Sequence, residues 1–239
     1  DLLSLCVIDA AAIYEQVSRY ERCFGLVHCG EAGFYVFDFF AVAGGREHVY
    51  SFHSGAGDLV PDPAIAFTPQ AGGTYAGSAV SYGDEAYRYS ENYDWRWGNG
   101  FQYLYDVARS NPANQAELVW KLVNTHGVSP HGDQVRCRLH LLTPVSELAL
   151  AKGNPPQNTK GNPEFIHYVL ARRSATTGLE SDFAAVIEPH LEGRRPVSTT
   201  RRLETLSGGP FATAIEVTLA DGRRDLIARN PDEQSDAHF

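Results

Sequence analysis

The stretch that decides the fold is Gly33–Ser54, GFYVFDFFAVAGGREHVYSFHS. Its first half, from Phe34 to Val42, is almost entirely aromatic and β-branched, which predicts a β-strand. Both faces of that strand are apolar: one carries Tyr35, Phe37 and Phe39, and the other carries Phe34, Val36 and Phe40. A strand that is apolar on both faces lies between two layers. We therefore expect this segment in the middle of a sheet, with other structure packed above and below it.

The second half of the stretch predicts a hairpin. Gly44-Gly45 suits a two-residue turn, which would return Arg46–His53 as the partner strand. In that register Asp38 and His53 are diagonal neighbours on one face, and His48 points to the other. A carboxylate inside so aromatic a strand costs several kcal/mol unless it has a partner. The hairpin therefore predicts a pair between Asp38 and His53.

Five segments of the chain also occur in a recognisable order. They are YVFDFFAVAGG-x-x-H-x-YSFH at Tyr35–His53, GTYAG at Gly73–Gly77, GFQYLYDV at Gly100–Val107, YVLARR at Tyr168–Arg173 and AAVIEPH at Ala184–His190. In this order the chain resembles the heparinase II/III-like polysaccharide lyases. The resemblance implies the β-sheet region that follows a helical toroid in a longer enzyme. That enzyme would cleave an acidic, uronate-containing glycan by β-elimination.

The resemblance also implies which parts are absent. Members of the family take a catalytic Tyr and one His or Asn from the toroid, and they hold zinc with an H-x-H-x-x-D-like segment and a His-Asn-Thr segment. This chain has neither segment, so we expect no cofactor in it, zinc only in the full-length parent, and little activity in isolation. The chain begins at Asp1 and contains no methionine, so we expect a processed or excised piece of a periplasmic or secreted protein whose missing partner is the N-terminal toroid.

The composition of the chain limits the classes of partner that we expect it to bind. The chain has 239 residues, is 43% hydrophobic and carries a net charge of −9 without a Lys/Arg block, so nucleic acid is not an expected partner. No run of about 18 apolar residues predicts a membrane span. An acidic polysaccharide or oligosaccharide remains as the expected partner. Three arginine pairs could bind its acidic groups, or they could be solvated residues at strand ends: Arg172-Arg173, Arg194-Arg195 and Arg201-Arg202. The four cysteines have no C-x-x-C spacing, which excludes a zinc ribbon and favours free thiols.

Strand patterns recur along the chain and helical patterns are nearly absent. The sequence therefore predicts an all-β fold of antiparallel layered sheets, a β-sandwich. Glu117–Asn124 and Gln134–Leu142 alternate as an antiparallel pair, and Asp221-Gly222 predicts a hairpin turn. An aromatic strand pair is expected at Asp94–Asp106. The Pro-, Gly- and Asn-rich stretch Pro144–Gly161 predicts a connection between a main layered region, 1–150, and a C-terminal strand region, 151–239.

Two sets of residues are candidates for a site. His48, His53 and Asp38 are the catalytic candidates, although a buried His–Asp pair that only holds the sheet explains His53 and Asp38 as well. Trp95, Arg96, Trp97 and Tyr103 are the substrate-binding candidates, because flat aromatic rings suit pyranose rings, and packing against a second sheet is the alternative. A third set, His126, His131 and Asp133, has the spacing of metal ligands, but the glycines and proline around it favour a surface turn. We therefore predict no metal site.

Two functional hypotheses from different classes follow. The first is the β-sheet region of a polysaccharide lyase, inactive alone. The second is a non-enzymatic carbohydrate-binding or structural β-sandwich module. The collinear segments favour the first for the parent protein, and the missing catalytic segments favour the second for this chain. A metal-dependent hydrolase built on His126, His131 and Asp133 is the remaining alternative.

Overall fold

Antiparallel β-strands make up the structure, a computed structural model that describes residues 2–85, 100–157, 160–232 and 236–239. The strands are β1 Leu3–Asp9, β2 Arg19–His28, β3 Phe34–Ala43, β4 Glu47–His53, β5 Gly57–Val60, β6 Phe67–Pro69, β7 Leu104–Ser110, β8 Ala116–Leu122, β9 Val135–Leu141, β10 Glu147–Gly153, β11 Ile166–Ser174, β12 Glu180–Leu191, β13 Val197–Arg202, β14 Thr213–Leu219 and β15 Arg224–Arg229. The helical residues form short 3-10 turns at Ala11–Ile13, Gly30–Ala32, Phe101–Tyr103 and Gly132–Gln134.

The strands form three sheets. A seven-stranded sheet has the order β1-β2-β3-β12-β9-β8-β5, a five-stranded sheet the order β4-β11-β10-β7-β6, and a three-stranded sheet the order β13-β14-β15. Strand accounts for 53% of the described residues and helix for 6%. The predicted all-β, antiparallel, layered fold is confirmed. Among the described residues, no helix has the length and apolar character needed to cross a bilayer.

The strand β3 lies at the centre of this arrangement, between β2 and β12. On one face, Tyr35, Phe37 and Phe39 pack in a buried cluster with side chains of the three-stranded sheet. On the other face, Phe40 and Val42 pack in a second cluster with side chains of the five-stranded sheet. The prediction of a central strand buried on both sides is confirmed, and the seven-stranded sheet is the middle layer of three.

The predicted β3–β4 hairpin is wrong. The chain leaves the seven-stranded sheet at Gly44 and Gly45, and β4 pairs antiparallel with β11 in the five-stranded sheet. The place next to β3 is taken by β12, which buries the apolar residues Phe183–Val186 on both of its faces. In contrast, β4 alternates between buried residues such as His48 and Tyr50 and exposed residues such as Ser51. An alternating strand suits a position with one open face, so β4 becomes the edge of the outer sheet.

The predicted connection at Pro144–Gly161 contains a strand. Its residues 147–153 form β10, which pairs with β11 on one side and β7 on the other. Leu148 and Leu150 face the main core, and Ala149 and Ala151 face the opposite side, so the strand is covered on both faces. The boundary proposed between residues 150 and 151 lies inside this strand. Strands from both sides of that position build both large sheets.

Other sequence predictions agree with the structure. The strands β8 and β9 form the predicted antiparallel pair, and β14 and β15 are joined through the predicted turn at Asp221-Gly222. The predicted strand pair at Asp94–Asp106 falls partly on residues 94–99, which lie outside the described residues. Within its described part, Phe101–Tyr103 is a 3-10 turn and the strand begins at Leu104.

We expect the crossing between the sheets to depend on Gly44. It has a φ of +108°, and a Cβ there would collide with the backbone oxygen of Gln16 and lie 2.9 Å from the Cα of Val17. Gly45 has a φ of +72° but no atom within 4 Å of the same position. Gly44→Ala should therefore lower the free energy of unfolding by roughly 3 kcal/mol or more, and Gly45→Ala by about 1–2 kcal/mol. Urea denaturation measures both, and equal losses would contradict this account of the crossing.

Candidate functional site

The carboxylate of Asp38 is buried between the seven-stranded and five-stranded sheets, with 1% of the residue exposed. Arg22 donates from Nε to Oδ1 at 2.8 Å and from Nη2 to Oδ2, and the Tyr50 hydroxyl donates to Oδ2 at 2.8 Å. Burial raises the pKa of Tyr50 well above its ordinary value, which keeps this phenol protonated as a donor. Asp38 therefore has the partners that its burial requires, and they come from β2 and β4.

His53 is not one of those partners. It lies on the exposed face of β4, its Nδ1 is 3.1 Å from the backbone oxygen of Ser54, and its ring is 4.8 Å from the ring of Tyr168. The predicted Asp38–His53 pair is wrong because it depended on the hairpin. Asp38 thus lies against the inner face of the five-stranded sheet, and His53 lies on the outer face of the same sheet.

His48 is buried where the chain crosses between the sheets. Its Nε2 is 2.5 Å from the carbonyl oxygen of Gly44, and its Nδ1 is 2.8 Å from the hydroxyl of Ser181 in β12. A carbonyl only accepts, so Nε2 carries the proton, and in the neutral ring Nδ1 accepts from Ser181. Burial lowers the pKa of His48 below its ordinary value of 6.5, and the charge of Arg173 lowers it further. Both ring nitrogens are engaged in holding β4 against β12.

A groove runs along the open side of the sandwich, beside β4. It consists of two adjoining cavities of about 260 and 340 Å³ that share Tyr20, Phe40 and Val49. Tyr14 packs on Tyr20 at 5.2 Å, and Arg22 contributes the cation. The charge of Arg22 is already balanced by Asp38, so the groove presents no uncompensated cation to a carboxylate. Its walls are aromatic, and its polar groups mainly serve the fold.

A cluster of three tyrosines forms a different surface near the end of the five-stranded sheet. The ring of Tyr82 packs edge to face on Tyr103 at 5.6 Å and on Tyr105 at 5.7 Å. Tyr82 is 52% exposed and Tyr103 is 37% exposed. This tyrosine cluster (Tyr82, Tyr103, Tyr105) therefore combines flat aromatic surface with free ring edges, as saccharide sites do.

Polar groups surround the tyrosine cluster. The Tyr105 hydroxyl donates to Asn154 Oδ1 at 2.6 Å, and Lys152 Nζ lies 2.9 Å from Asp106 Oδ2. Lys152 also sits 4.4 Å above the ring of Phe165. Asn154 and Asp106 are exposed and Lys152 is half-buried, and these groups supply the hydrogen-bonding partners that a ring of hydroxyl groups needs.

A β-bulge shapes this end of β7. Asp106 and Val107 together lie opposite the single residue Ala151 of β10, and Asp106 has a φ of +49°. It is the one non-glycine residue with positive φ in the part of the chain that the structure describes. Bulges and such backbone strain recur next to functional sites, where they redirect side chains. Here the bulge places Tyr105 and Asp106 beside the exposed rings.

The predicted substrate-binding residues are thus only partly placed. Tyr103 belongs to the tyrosine cluster, whereas Trp95, Arg96 and Trp97 lie outside the described residues. Sequence reasoning missed Tyr82 and Tyr105. Tyr82 lies in an irregular Gly-rich loop, and only the alternation of YLYD at 103–106 pointed to Tyr105 as a neighbour of Tyr103.

Sequence reasoning also missed a buried charged cluster on the face of β9 opposite the main core. His140 lies 3.4 Å from Glu117 through Nδ1 and 3.6 Å from Glu188 through Nε2, and Arg138 approaches both carboxylates. Glu188 is fully buried and accepts from the backbone N–H of Val197 at 2.8 Å. The alternation of Arg138 and His140 in QVRCRLHLL was the available signal. The cluster joins the middle layer to the three-stranded sheet.

The remaining candidates have structural partners. Asp133 accepts from the backbone N–H of Asn124 at 2.6 Å and holds the turn that contains His131. No three metal-binding side chains converge within the described ranges. Arg172 pairs with Glu47 and Glu147, Arg201 with Glu216, and Arg202 with Asp182. Arg172, Arg201 and Arg202 are therefore not free cations at strand ends.

Together these features define the chain as an antiparallel β-sandwich protein, and within its described residues Tyr82 and Tyr103 expose aromatic surface. No family model matches the sequence, and no curated protein matches it either.

His48 predicts a pH dependence of stability. Its pKa is lower in the folded protein than the ordinary 6.5 of the unfolded chain, so the unfolded state binds more protons between these two values. Stability is then fully present above about pH 6.5 and falls as the pH is lowered further. The pKa of half-buried His167 is lowered as well, so His48→Asn should flatten this decline only in part. Urea titrations between pH 5 and 8 measure it, with exposed His53→Asn as the control, and an unchanged pH profile in His48→Asn would contradict the assignment.

Proposed function

We propose that this chain is the saccharide-binding β-sheet region of a polysaccharide lyase that acts on an acidic, uronate-containing glycan. The observation that carries the proposal is the tyrosine cluster, because Tyr82 and Tyr103 expose ring surface beside the polar groups of Lys152 and Asn154. The resemblance of five collinear segments to the heparinase II/III-like lyases supports the lyase assignment of the parent. Its helical toroid, its zinc and a periplasmic or secreted location belong to the same proposal.

In this proposal the chain alone does not catalyse. Elimination needs a group that neutralises the uronate carboxylate, a base for the C5 proton and an acid for the leaving O4. Asp38 is occupied by Arg22 and Tyr50, and both nitrogens of His48 hold the sheet crossing. His53 lies on the exposed face of β4, against the ring of Tyr168. These side chains stabilise the sandwich and leave the proton transfers to the rest of the parent.

A second candidate is a non-enzymatic carbohydrate-binding or structural module. The observation that favours it is that every catalytic candidate except His53 is engaged in holding one layer to another. Both candidates share the tyrosine cluster as the binding surface. They differ in whether the parent protein cleaves the glycan, and so they are separated by assaying the parent.

The tyrosine cluster should bind uronate oligosaccharides. We expect Tyr82→Ala and Tyr103→Ala each to weaken binding about 2- to 10-fold, the loss of one aromatic contact worth roughly 0.5–1.5 kcal/mol. Isothermal titration calorimetry with alginate or heparan sulfate oligosaccharides measures the change. Tyr14→Ala is the matched control, because Tyr14 is 43% exposed but lies in the groove beside β4.

The outcome also locates the site. Equal weakening in Tyr14→Ala and Tyr103→Ala would contradict the tyrosine cluster as the binding surface. A neutral oligosaccharide of the same length tests the charge preference, because Lys152→Ala should then weaken binding of the acidic chain more than of the neutral one. Circular dichroism of each variant establishes that the fold is retained.

The isolated chain should show no lyase activity. Incubation with alginate or heparan sulfate is expected to give no rise in ultraviolet absorbance from unsaturated uronate, because Asp38 and both ring nitrogens of His48 are already engaged within the fold. Product formation that disappears in His48→Ala or His53→Ala would place a working active site in this chain and contradict the proposal.

A further inference from the structure

The edge strand β1 is exposed along its whole length. All seven residues of Leu3–Asp9 are exposed, although five of them are Leu, Cys, Val or Ile. Leu5 and Val7 on one face are 58% and 57% exposed, and Ile8 on the other face is 49% exposed. Apolar side chains on both faces of an open edge are a strong signal for further strand pairing.

Of the other sheet edges, β5, β6, β13 and β15 carry features that normally prevent such pairing, and β4 carries exposed polar residues at Glu47, Ser51 and His53. The strand β5 has only four residues, and β6 has three and ends at Pro69. The strand β13 carries Arg201 and Arg202, and β15 carries Arg224 and Asp225. In contrast, β1 has no proline, no lysine and a regular register with β2. Natural sheet proteins rarely leave a long apolar edge open without such protection.

The backbone of β1 shows which groups remain available. Leu2 accepts from the N–H of His28, and Ala10 donates to the carbonyl of Tyr20, so the even-numbered residues bond to β2. Hydrogen bonding alternates along an antiparallel pair. The N–H and C=O groups of Leu3, Leu5, Val7 and Asp9 therefore point away from β2, toward the open edge.

We propose that this edge pairs with β1 of a second copy of the chain, about a two-fold axis at Cys6. In that register Leu5 lies opposite Val7 of the second copy, and Leu3 lies opposite Asp9. All seven residues of each strand overlap, and every outward-pointing group on one strand meets an outward-pointing group on the other. The two seven-stranded sheets then become one continuous sheet. An isologous contact of this kind closes on itself, so it gives a dimer and not a fibre.

The same register places apolar side chains together. Residues directly opposite each other share a face, so Leu5 and Val7 of both copies form one row. This row continues the wall of an apolar cleft of about 640 Å³ between β1, β3 and β15, whose rim includes Leu226 at 69% exposed. The second copy thereby covers part of the mouth of that cleft. This inference does not depend on the proposed saccharide site.

The size and charge of the contact set its strength. Seven paired residues at about 3.4 Å each, in a sheet about 10 Å thick, give an edge of roughly 240 Å² per copy. Stable interfaces bury about 800 Å² per partner, so this dimer is weak. Each copy carries a net charge of −9, so repulsion weakens it further at low ionic strength. The dimer should therefore appear at high protein concentration and become stronger with added salt.

Cys6 provides a direct reporter of the register. Its backbone groups bond to β2, so the two Cys6 residues form a non-hydrogen-bonded pair with Cα atoms about 4.5 Å apart, within the range of disulfides. Oxidised glutathione can join them: one Cys6 thiolate forms a mixed disulfide and releases one glutathione thiolate. The second Cys6 thiolate then displaces the second glutathione. Cys6 is the exposed cysteine, whereas Cys23 and Cys137 are buried and Cys29 is half-buried.

Sedimentation equilibrium of the full chain under reducing conditions tests the pairing. We expect a reversible monomer–dimer equilibrium that strengthens with sodium chloride, and Leu5→Lys should weaken it at least tenfold. Val128→Lys is the matched control, because Val128 is an exposed apolar residue in a distant turn and its substitution should leave the equilibrium unchanged. A monomer at all concentrations, or an equal effect of both substitutions, would overturn the proposal.

Crosslinking then tests the register independently. With oxidised glutathione the wild type should form a covalent dimer, Cys6→Ser should form none, and Cys29→Ser should behave as the wild type. Leu5→Lys should crosslink at least tenfold more slowly if the strands must pair first. Crosslinking of Leu5→Lys at the wild-type rate would mean that the thiols meet by random collision, and it would refute the two-fold register.

Discussion

The constraint on which the rest of this structure depends is the double-sided burial of β3. A strand with large aromatic side chains on both faces needs a layer on each side, and the five-stranded and three-stranded sheets supply those layers. Asp38 makes the constraint stricter, because its carboxylate can enter this environment only with Arg22 and Tyr50 bound to it. The burial of β3 therefore fixes the order of the layers. The carboxylate of Asp38, held by Arg22 and Tyr50, joins β3 to β2 and β4.

The sequence predicted the strands better than their partners. The apolar alternation of β8 and β9 and the Asp221-Gly222 turn are local signals, and the structure agrees with them. The pairing of β3 with β12 joins segments that are far apart in the sequence. Gly44-Gly45 is compatible with a hairpin, but the competing strand β12 is both distant and apolar on two faces, which β4 is not. A strand with two apolar faces resists a change of partner only weakly, so nothing near Gly44 revealed the crossing.

The contacts of the candidate site residues also depend on segments that are distant in the sequence. His48 and Asp38 were named as catalytic candidates, but their partners, Ser181, Arg22 and Tyr50, follow from the sheet order. Tyr103 was named from its aromatic context, whereas its neighbours Tyr82 and Tyr105 are brought to it by an irregular loop and a bulge, which no periodic pattern encodes. Buried polar residues therefore indicated where the layers join.

The position of β12 has a consequence for how the chain acquires its fold. Ala43 pairs with Glu180, 137 positions later in the sequence, so the central strand waits for most of the chain before its neighbour exists. During synthesis the apolar segment Phe34–Val42 is released before β12 exists to cover its open edge. Such long-range pairing slows folding and prolongs the exposure of aggregation-prone segments. The feature that makes the finished sandwich rigid thus makes its assembly slow and dependent on protection of the unfinished chain.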